Sequence, residues 1–282
     1  MMLRLVPALV AASLLAACSA TPPKSALVTS PSVPQVPAAG FGQVPPFSRL
    51  NYAPFGRADA VAIALREWRL WGSPVDDASP EGRPPTPLAD KPERFPGMWQ
   101  RVGEYWWESQ DSGSVTAYWT GEHDGNGTVF THDANYPWSA AFISYIMRIA
   151  GAGERFPYGA AHAVYINAAK EQANAGGAGS GVVVAERPEA YAPQQGDLIC
   201  LGRGGSRALT YDDLPTTSFP GHCDIVVAVS PGQLTVIGGN VDDSVTEKHI
   251  PTTPTGMISD PATGVVDTRY PWFVVLRVLY DQ

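Results

Sequence analysis

The sequence predicts an α+β domain, in which helices come first along the chain and an antiparallel sheet follows. Three observations support this class: helical periodicity before the Gly-rich segment 174–181, short apolar segments separated by Gly/Pro-rich turns after it, and no alternation of strands with helices. Of the 282 residues, 44% are apolar, which is enough for a large core. The net charge is −8 without any Lys/Arg cluster, so we expect no nucleic-acid partner.

The first 55 residues are expected to serve export and anchoring. Residues 1–17 have one basic residue and a short apolar run, as in a signal peptide. The run ends at "LAAC", which resembles the bacterial lipoprotein signal, so Cys18 is expected to be lipidated and to anchor the chain to a membrane. Ser19 after it implies the outer membrane, facing the periplasm. An ordinary signal peptide with a chance cysteine is the alternative. Residues 18–55 are Pro/Ala-rich and predict a tether, leaving 56–282 as one domain.

Four helices are expected in the first part of this domain, over 57–71, 98–109, 139–150 and about 160–173. The third has the clearest pattern, because six residues at helical spacing form one stripe: Ser139, Phe142, Ile143, Ile146, Met147 and Ala150. In the first helix the apolar side is expected to contain Val61, Leu65, Trp68 and Leu70. The tryptophans at 99, 106, 107 and 119 are expected to be core and cover.

Short strands are expected over 197–201, 223–229, 234–238 and 273–280, with Gly/Pro-rich turns between them. Apart from Cys18, the chain has two cysteines, Cys200 and Cys223. In an oxidising compartment they can form a disulfide, and two buried free thiols are the alternative.

Ser139 is the residue that raises the question of catalysis. It lies on the apolar stripe and in the first turn of its helix, where free N–H groups and the helix dipole favour negative charge. A side chain placed there is suited to be a nucleophile. Helix capping is the alternative, because serine commonly has that role at a helix start.

A second group of polar residues surrounds the segment "GHCDIVVAV". In a strand, His222 and Asp224 point to one face and Cys223 to the other. A hairpin through the turn 230–232 brings Asn240 back near His222. An amide or a carboxylate beside an imidazole can fix its tautomer, as a catalytic base requires.

Four segments in this order resemble the CHAP and NlpC-type papain-like peptidases: "PWSAAFISYIMRIAG", "PQQGDLICL", "GHCDIVVAV" and "VIGGNVDDSV". The chain resembles more closely the bacterial family called domain of unknown function 2272, through "WSAAFIS", "FPYGAAH" and "HCDIV". The similarity extends over about 57–280, with its core in 136–245. It implies a papain-like fold, with N-terminal helices packed on a small antiparallel sheet.

The resemblance implies that Ser139 is the nucleophile, His222 the general base and Asn240 the orienting residue, with Asp224 as the rival orienter. Serine stands where those peptidases have cysteine, so its hydroxyl must lose its proton to the base as it attacks. The implied substrate contacts are Trp138, Tyr158 and His162, and a structural role for His162 is the alternative. His132 and Asp133 are expected at the edge of the cleft.

The resulting expectation is an envelope hydrolase that cleaves amide or peptide bonds, with peptidoglycan as its partner and no cofactor. An inactive binder and an esterase or acyltransferase are the alternatives. We expect no metal, because His132, His162, His222 and Asp224 lack the spacing of a ligand pair such as HExxH. The segment 123–127 lacks most ligands of a calcium loop and predicts a turn.

Overall fold

The structure is a computed structural model, and it describes residues 53–80, 84–109 and 137–281. All of these lie in one compact unit, residues 44–282. Within the described ranges, no helix is both long and apolar enough to cross a membrane. Several expected features fall outside these ranges: the signal peptide 1–17, Cys18, the tether up to residue 52, the loop 123–127, Trp119, and His132 with Asp133.

Among the described residues, four α-helices precede the sheet, and each begins and ends within two residues of the predicted bounds. They are α1 (Arg57–Leu70), α2 (Met98–Glu108), α3 (Ser139–Ile149) and α4 (His162–Asn174). The apolar side expected for α1 is wrong at its end, because Leu70 is 51% exposed. Ala60, Ala64 and the carboxylate Glu67 are buried instead. Trp107, expected in the core or its cover, is 44% exposed.

The sheet has six antiparallel strands in the order β1-β8-β2-β3-β4-β5. Two of them, β1 and β5, are absent from the sequence-based prediction. A separate pair, β6 and β7, lies in the loop before β8. The strands are β1 (Val183–Glu186), β2 (Leu198–Gly202), β3 (Gly221–Ser230), β4 (Gln233–Val241), β5 (Ser244–Pro251), β6 (Ser259–Asp260), β7 (Gly264–Val265) and β8 (Trp272–Val278).

Helix α3 is the central helix of the fold. The whole predicted stripe is buried, and so are Ala140, Ala141 and Ser144 on its other sides. The helix packs on β3 and β4 of the sheet and on α1 and α2. An apolar helix with neighbours on several sides is the expected result of a sequence with so few polar positions.

The two faces of the sheet have separate cores. Cys223, Ile225 and Val227 of β3 point towards the helices and belong to the larger core. Val226 points the other way, into a smaller core that Ile258 and the loop before β8 cover. Strand alternation therefore decides which β3 side chains face α3.

A buried carboxylate, Glu67, joins the first three helices. It accepts hydrogen bonds from Arg101 and Tyr105 of α2 and from Tyr145 of α3. Burial alone raises the pKa of Glu67, but the hydrogen bonds from Arg101, Tyr105 and Arg66 lower it below its usual value. The group therefore stays ionised, and its stabilising effect is lost as the pH falls through its lowered pKa.

Asp197, in the segment "GDL", fixes the start of β2. One carboxylate oxygen accepts the N–H of Val278 at 2.9 Å, and the other accepts the N–H of Gln194 and the hydroxyl of Tyr191, both at 2.8 Å. Its role is therefore structural: it connects the turn before β2 with the end of β8.

The close approach of α3 to the sheet requires glycine at position 239. A Cβ atom there would lie 2.5 Å from Cβ of Phe142. We predict that Gly239→Ala lowers the free energy of unfolding by about 1–3 kcal/mol, because the helix must shift to relieve the contact. Urea unfolding of the purified protein measures this change.

Gly205→Ala is the matched control, because a Cβ at position 205 meets no atom within 4 Å. Equal stability of the two variants would contradict the packing that we describe.

Candidate functional site

Ser139 and His162 form the central pair of the candidate site. Ser139 is the first residue of α3 and His162 the first residue of α4. The Ser139 hydroxyl lies 2.7 Å from Nε2 of His162. Both side chains are buried, with Ser139 2% and His162 4% exposed. A hydroxyl within hydrogen-bond distance of an imidazole has the geometry of a nucleophile and its base.

Tyr165 holds the other side of the His162 ring. Its hydroxyl is hydrogen-bonded to Nδ1 of His162, one helical turn earlier. Burial lowers the pKa of His162 well below its usual value, and the neighbouring His222 lowers it further. Burial also raises the pKa of Tyr165 well above its usual range. The imidazole and the phenol are therefore both neutral, and when Nδ1 donates its proton to Tyr165, Nε2 is free to accept one from Ser139.

Capping does not explain Ser139. The residue that precedes α3 is Trp138, and no side chain caps this helix. The Ser139 hydroxyl is directed to His162 instead. The capping alternative is therefore wrong, and the N–H groups of the first turn have no side-chain acceptor among the described residues.

A second polar cluster lies on β3 and β5 and consists of His222, Asp224 and Lys248. Asp224 accepts a hydrogen bond from Nε2 of His222 at 2.8 Å, and its second oxygen lies 2.6 Å from Nζ of Lys248. All three side chains are buried. Burial alone would raise the pKa of Asp224, but Lys248 and then His222 lower it far below its usual value. Burial lowers the pKa of His222, an effect that Asp224 partly opposes.

The second cluster requires the glycine at position 238. A Cβ atom there would lie 1.9 Å from Oδ1 of Asp224 and 3.0 Å from Nε2 of His222. The two glycines of "IGGN" therefore act on opposite faces of the sheet. Gly238 makes room for Asp224, and Gly239 makes room for Phe142 of α3.

His222 does not serve Ser139 as the resemblance implied. The register pairs His222 with Leu201 and Asp224 with Ile199, so both point to the sheet face opposite α3. Among the described residues, the histidine that is hydrogen-bonded to Ser139 is His162. The assignment of His222 as the base of Ser139 is therefore corrected. The two imidazole rings are nevertheless neighbours, with 5.4 Å between their centroids.

Asn240 lies close to His222 without orienting it. The β3–β4 hairpin brings Asn240 into the same pocket as His222, as the spacing predicts. The side chain that holds the His222 ring is Asp224, the rival orienter, because it follows two residues later on the same face of the strand.

Two of the three implied substrate contacts are core residues. Trp138 has no exposed surface; it stacks on Trp71 and donates a hydrogen bond from Nε1 to Glu93 at 2.7 Å. Tyr158 is also buried, and the guanidinium of Arg148 lies 3.6 Å above its ring. We therefore withdraw Trp138 and Tyr158 as substrate contacts. His162, the third, is the partner of Ser139.

A disulfide joins β2 to β3 beside the second cluster. Cys200 and Cys223 are register partners on adjacent strands, and their sulfur atoms are bonded. Because Cys223 lies between His222 and Asp224 in the chain, the bond holds the backbone of this cluster against β2. In the described part of the chain, no group of three or more His, Cys, Asp or Glu side chains is arranged to hold a metal ion.

Two residues of the site, Tyr165 and Lys248, were not predicted from the sequence. Tyr165 had a detectable signal, because it follows His162 at a spacing of three within one helix. Lys248 had none, because a lysine in the polar segment "TEKH" is normally expected to face solvent.

These features define the chain as an α+β protein with a buried serine–histidine pair and an aspartate–histidine pair beside it. The chain belongs to the family of uncharacterised proteins conserved in bacteria, domain of unknown function 2272, whose model matches residues 93–278. A search of curated proteins and a search of solved structures each find no match.

The pairing of Lys248 with Asp224 leads to a prediction about stability. Lys248→Met leaves a buried carboxylate without its cation, so we expect the free energy of unfolding at pH 7 to fall by about 3–5 kcal/mol. The pKa of His222 rises in this variant, because Lys248 no longer lowers it. Urea unfolding and an NMR titration of His222 measure the two effects.

The double variant Asp224→Asn with Lys248→Met is the control, because it removes both charges of the pair. It should be more stable than Lys248→Met alone. An equal decrease in the free energy of unfolding in the two variants would contradict a stabilising ion pair between Lys248 and Asp224.

Proposed function

We propose that this protein is a lipid-anchored hydrolase of the bacterial envelope, with a papain-like fold, that cleaves amide or peptide bonds of peptidoglycan. Its nucleophile is Ser139 and its general base is His162. The observation that carries the proposal is the 2.7 Å distance between the Ser139 hydroxyl and Nε2 of His162. The ordered resemblance to papain-like peptidases supports the bond type, and the lipoprotein-like signal that ends at Cys18 supports the location.

The proposed reaction begins with a proton transfer from Ser139 to His162. As the serine oxygen attacks the substrate carbonyl, Nε2 of His162 takes the hydroxyl proton. The π electrons of the carbonyl move onto its oxygen, which becomes an oxyanion. The oxyanion then collapses and the C–N bond breaks, the protonated ring donates its proton to the leaving amine, and the acyl group stays on the oxygen of Ser139. Water releases the acyl group from Ser139 through the same base. Tyr165 is a positioning residue, because its bond to Nδ1 keeps Nε2 directed at Ser139.

The start of α3 supplies a place for the oxyanion. The first N–H groups of a helix have no partner within it, and no side chain of the described residues caps them here. They carry the positive end of the helix dipole next to the Ser139 hydroxyl. Donors in such a position stabilise negative charge that develops in the transition state.

The burial of the pair favours a second candidate function, that of a binding protein without hydrolysis. With Ser139 only 2% exposed, a substrate reaches its hydroxyl only if the surrounding chain opens. A protein that stays closed would retain the fold and bind peptidoglycan through other surfaces.

A digestion of purified sacculi separates the two functions. We expect the full-length protein to release peptides, Ser139→Ala to release none, and His162→Gln to release them at least ~100-fold more slowly, because the base is lost. The matched control is His249→Gln, since His249 is half-buried and pairs with Asp77, outside the site. Chromatography of the soluble fraction measures the release.

Hydrolysis that persists in Ser139→Ala would refute the assignment of the nucleophile. If the wild type sediments with sacculi but releases nothing, the binding function is the correct one. In that case a gain of hydrolysis in Ser139→Cys would show that the cleft is complete apart from the nucleophile.

The lowered pKa of His162 predicts the pH dependence of the reaction. The base must be neutral to act, and burial extends its neutral form to pH values below its usual value of 6.5. We therefore expect the acid limb of kcat/KM to have its midpoint below pH 6.5. Tyr165→Phe should lower kcat with little change in KM, because only the orientation of the ring is lost. An acid limb above pH 6.5 would contradict a buried base.

A further inference from the structure

The pocket that contains His222 and Asn240 opens on the sheet face opposite α3. Its volume is about 310 Å³. Residues from β3, β4 and β5 and from the loops after β2 and before β8 line it, among them His222, Asn240, Lys248 and Arg203. Ser139 and His162 are not part of its lining. The pocket is therefore distinct from the proposed nucleophile and can be considered independently of it.

The His222 ring presents a buried hydrogen-bond acceptor without a partner. The side chain is 6% exposed, and Nδ1 has no hydrogen-bond partner among the described residues. Because Nε2 donates its proton to Asp224, a neutral ring has a lone pair on Nδ1. Burial lowers the pKa of His222 and favours that neutral form. A buried acceptor left empty costs free energy, so a ligand that donates a hydrogen bond there is stabilised.

Four cations line the pocket, and the guanidinium of Arg203 is the one without a partner among the described residues, since Arg207 has a partner of its own. Lys248 is paired with Asp224, and Arg269 is paired with Asp267 at 2.9 Å. Arg203 is exposed, and its guanidinium makes no hydrogen bond or ion pair with the residues that the structure describes. Its charge nevertheless acts on the His222 ring. Arg203 is therefore available to a carboxylate ligand.

The acidic residues of the rim restrict the ligand further. Asp76 and Asp242 also line the pocket, so it is not uniformly positive. A ligand in this pocket therefore meets carboxylate oxygens, which accept hydrogen bonds, as well as cations. The Asn240 amide adds both a donor and an acceptor to the pocket.

We propose that this pocket binds a small carboxylate whose neighbouring carbon carries a hydroxyl or amino group. The carboxylate pairs with the guanidinium of Arg203. The hydroxyl or amino group donates a hydrogen bond to Nδ1 of His222. A 2-hydroxy acid and an amino acid share this chemistry.

A titration followed by NMR tests the proposal with three probes: glycolate, glycine and acetate. The full-length protein, labelled with ¹⁵N in its histidines, is titrated with each probe. We expect glycolate or glycine to bind at least about tenfold more tightly than acetate, the equivalent of one hydrogen bond. The Nδ1 resonance of His222 should move upfield, because the atom gains a donor. Tighter binding of glycolate would identify the ligand as a 2-hydroxy acid, and tighter binding of glycine would identify it as an amino acid.

Two arginine variants locate the carboxylate. Arg203→Gln should weaken binding at least about tenfold. Arg69→Gln removes the same charge from another exposed arginine, on α1 and outside the pocket, and should leave binding unchanged. Equal binding of acetate, binding of none of the probes, or binding unaffected by Arg203→Gln would overturn the proposal. The experiment measures no hydrolysis, so its failure is distinct from a failure of the Ser139 reaction.

Discussion

The buried carboxylate of Asp224 is the interaction on which the second polar cluster depends. One of its oxygens holds the His222 ring and the other the ammonium group of Lys248. A buried charge is tolerated only when its partners compensate the lost hydration, and here both partners come from strands of the same sheet. Asp224 also determines which nitrogen of His222 has a lone pair. The position of that acceptor therefore follows from a buried charge pair.

The glycine pair at positions 238 and 239 allows β4 to lie close to the second polar cluster on one face and to α3 on the other. One face of β4 has no Cβ where Asp224 lies, and the other has none where Phe142 of α3 packs. Side chains at these positions would separate α3 from the sheet or exclude the carboxylate. The two glycines of "GGN" thus indicate close packing on both sides of one strand. The asparagine of the motif, Asn240, lies in the pocket with His222.

The sequence predicted the helices better than the contacts of the site. The apolar stripe of α3 gave the direction of Ser139, since periodicity depends on α3 alone. Alternation likewise separated His222 and Asp224 from Cys223. It could not show which face of β3 meets the helices, because Val226 and Ile225 are both apolar and each belongs to a core. The partner of Ser139 depended on that choice, so His222 was selected instead of His162. Lys248 was missed because its cation is buried only through a tertiary contact with Asp224.

The proximity of His162 and His222 couples the Ser139–His162 pair electrostatically to the second polar cluster. With 5.4 Å between their ring centroids, a proton on one ring opposes a proton on the other. Asp224 raises the pKa of both rings, and Arg203 lowers both. In the proposed complex, a carboxylate paired with Arg203 offsets that positive charge and raises the pKa of His162, whereas the ligand's hydrogen bond to Nδ1 favours the neutral form of His222. If both proposals hold, occupancy of the pocket beside His222 would strengthen His162 as a base, since a base with a higher pKa removes a hydroxyl proton more readily. Electrostatics alone thus suffices for this coupling, and no movement of the sheet is required.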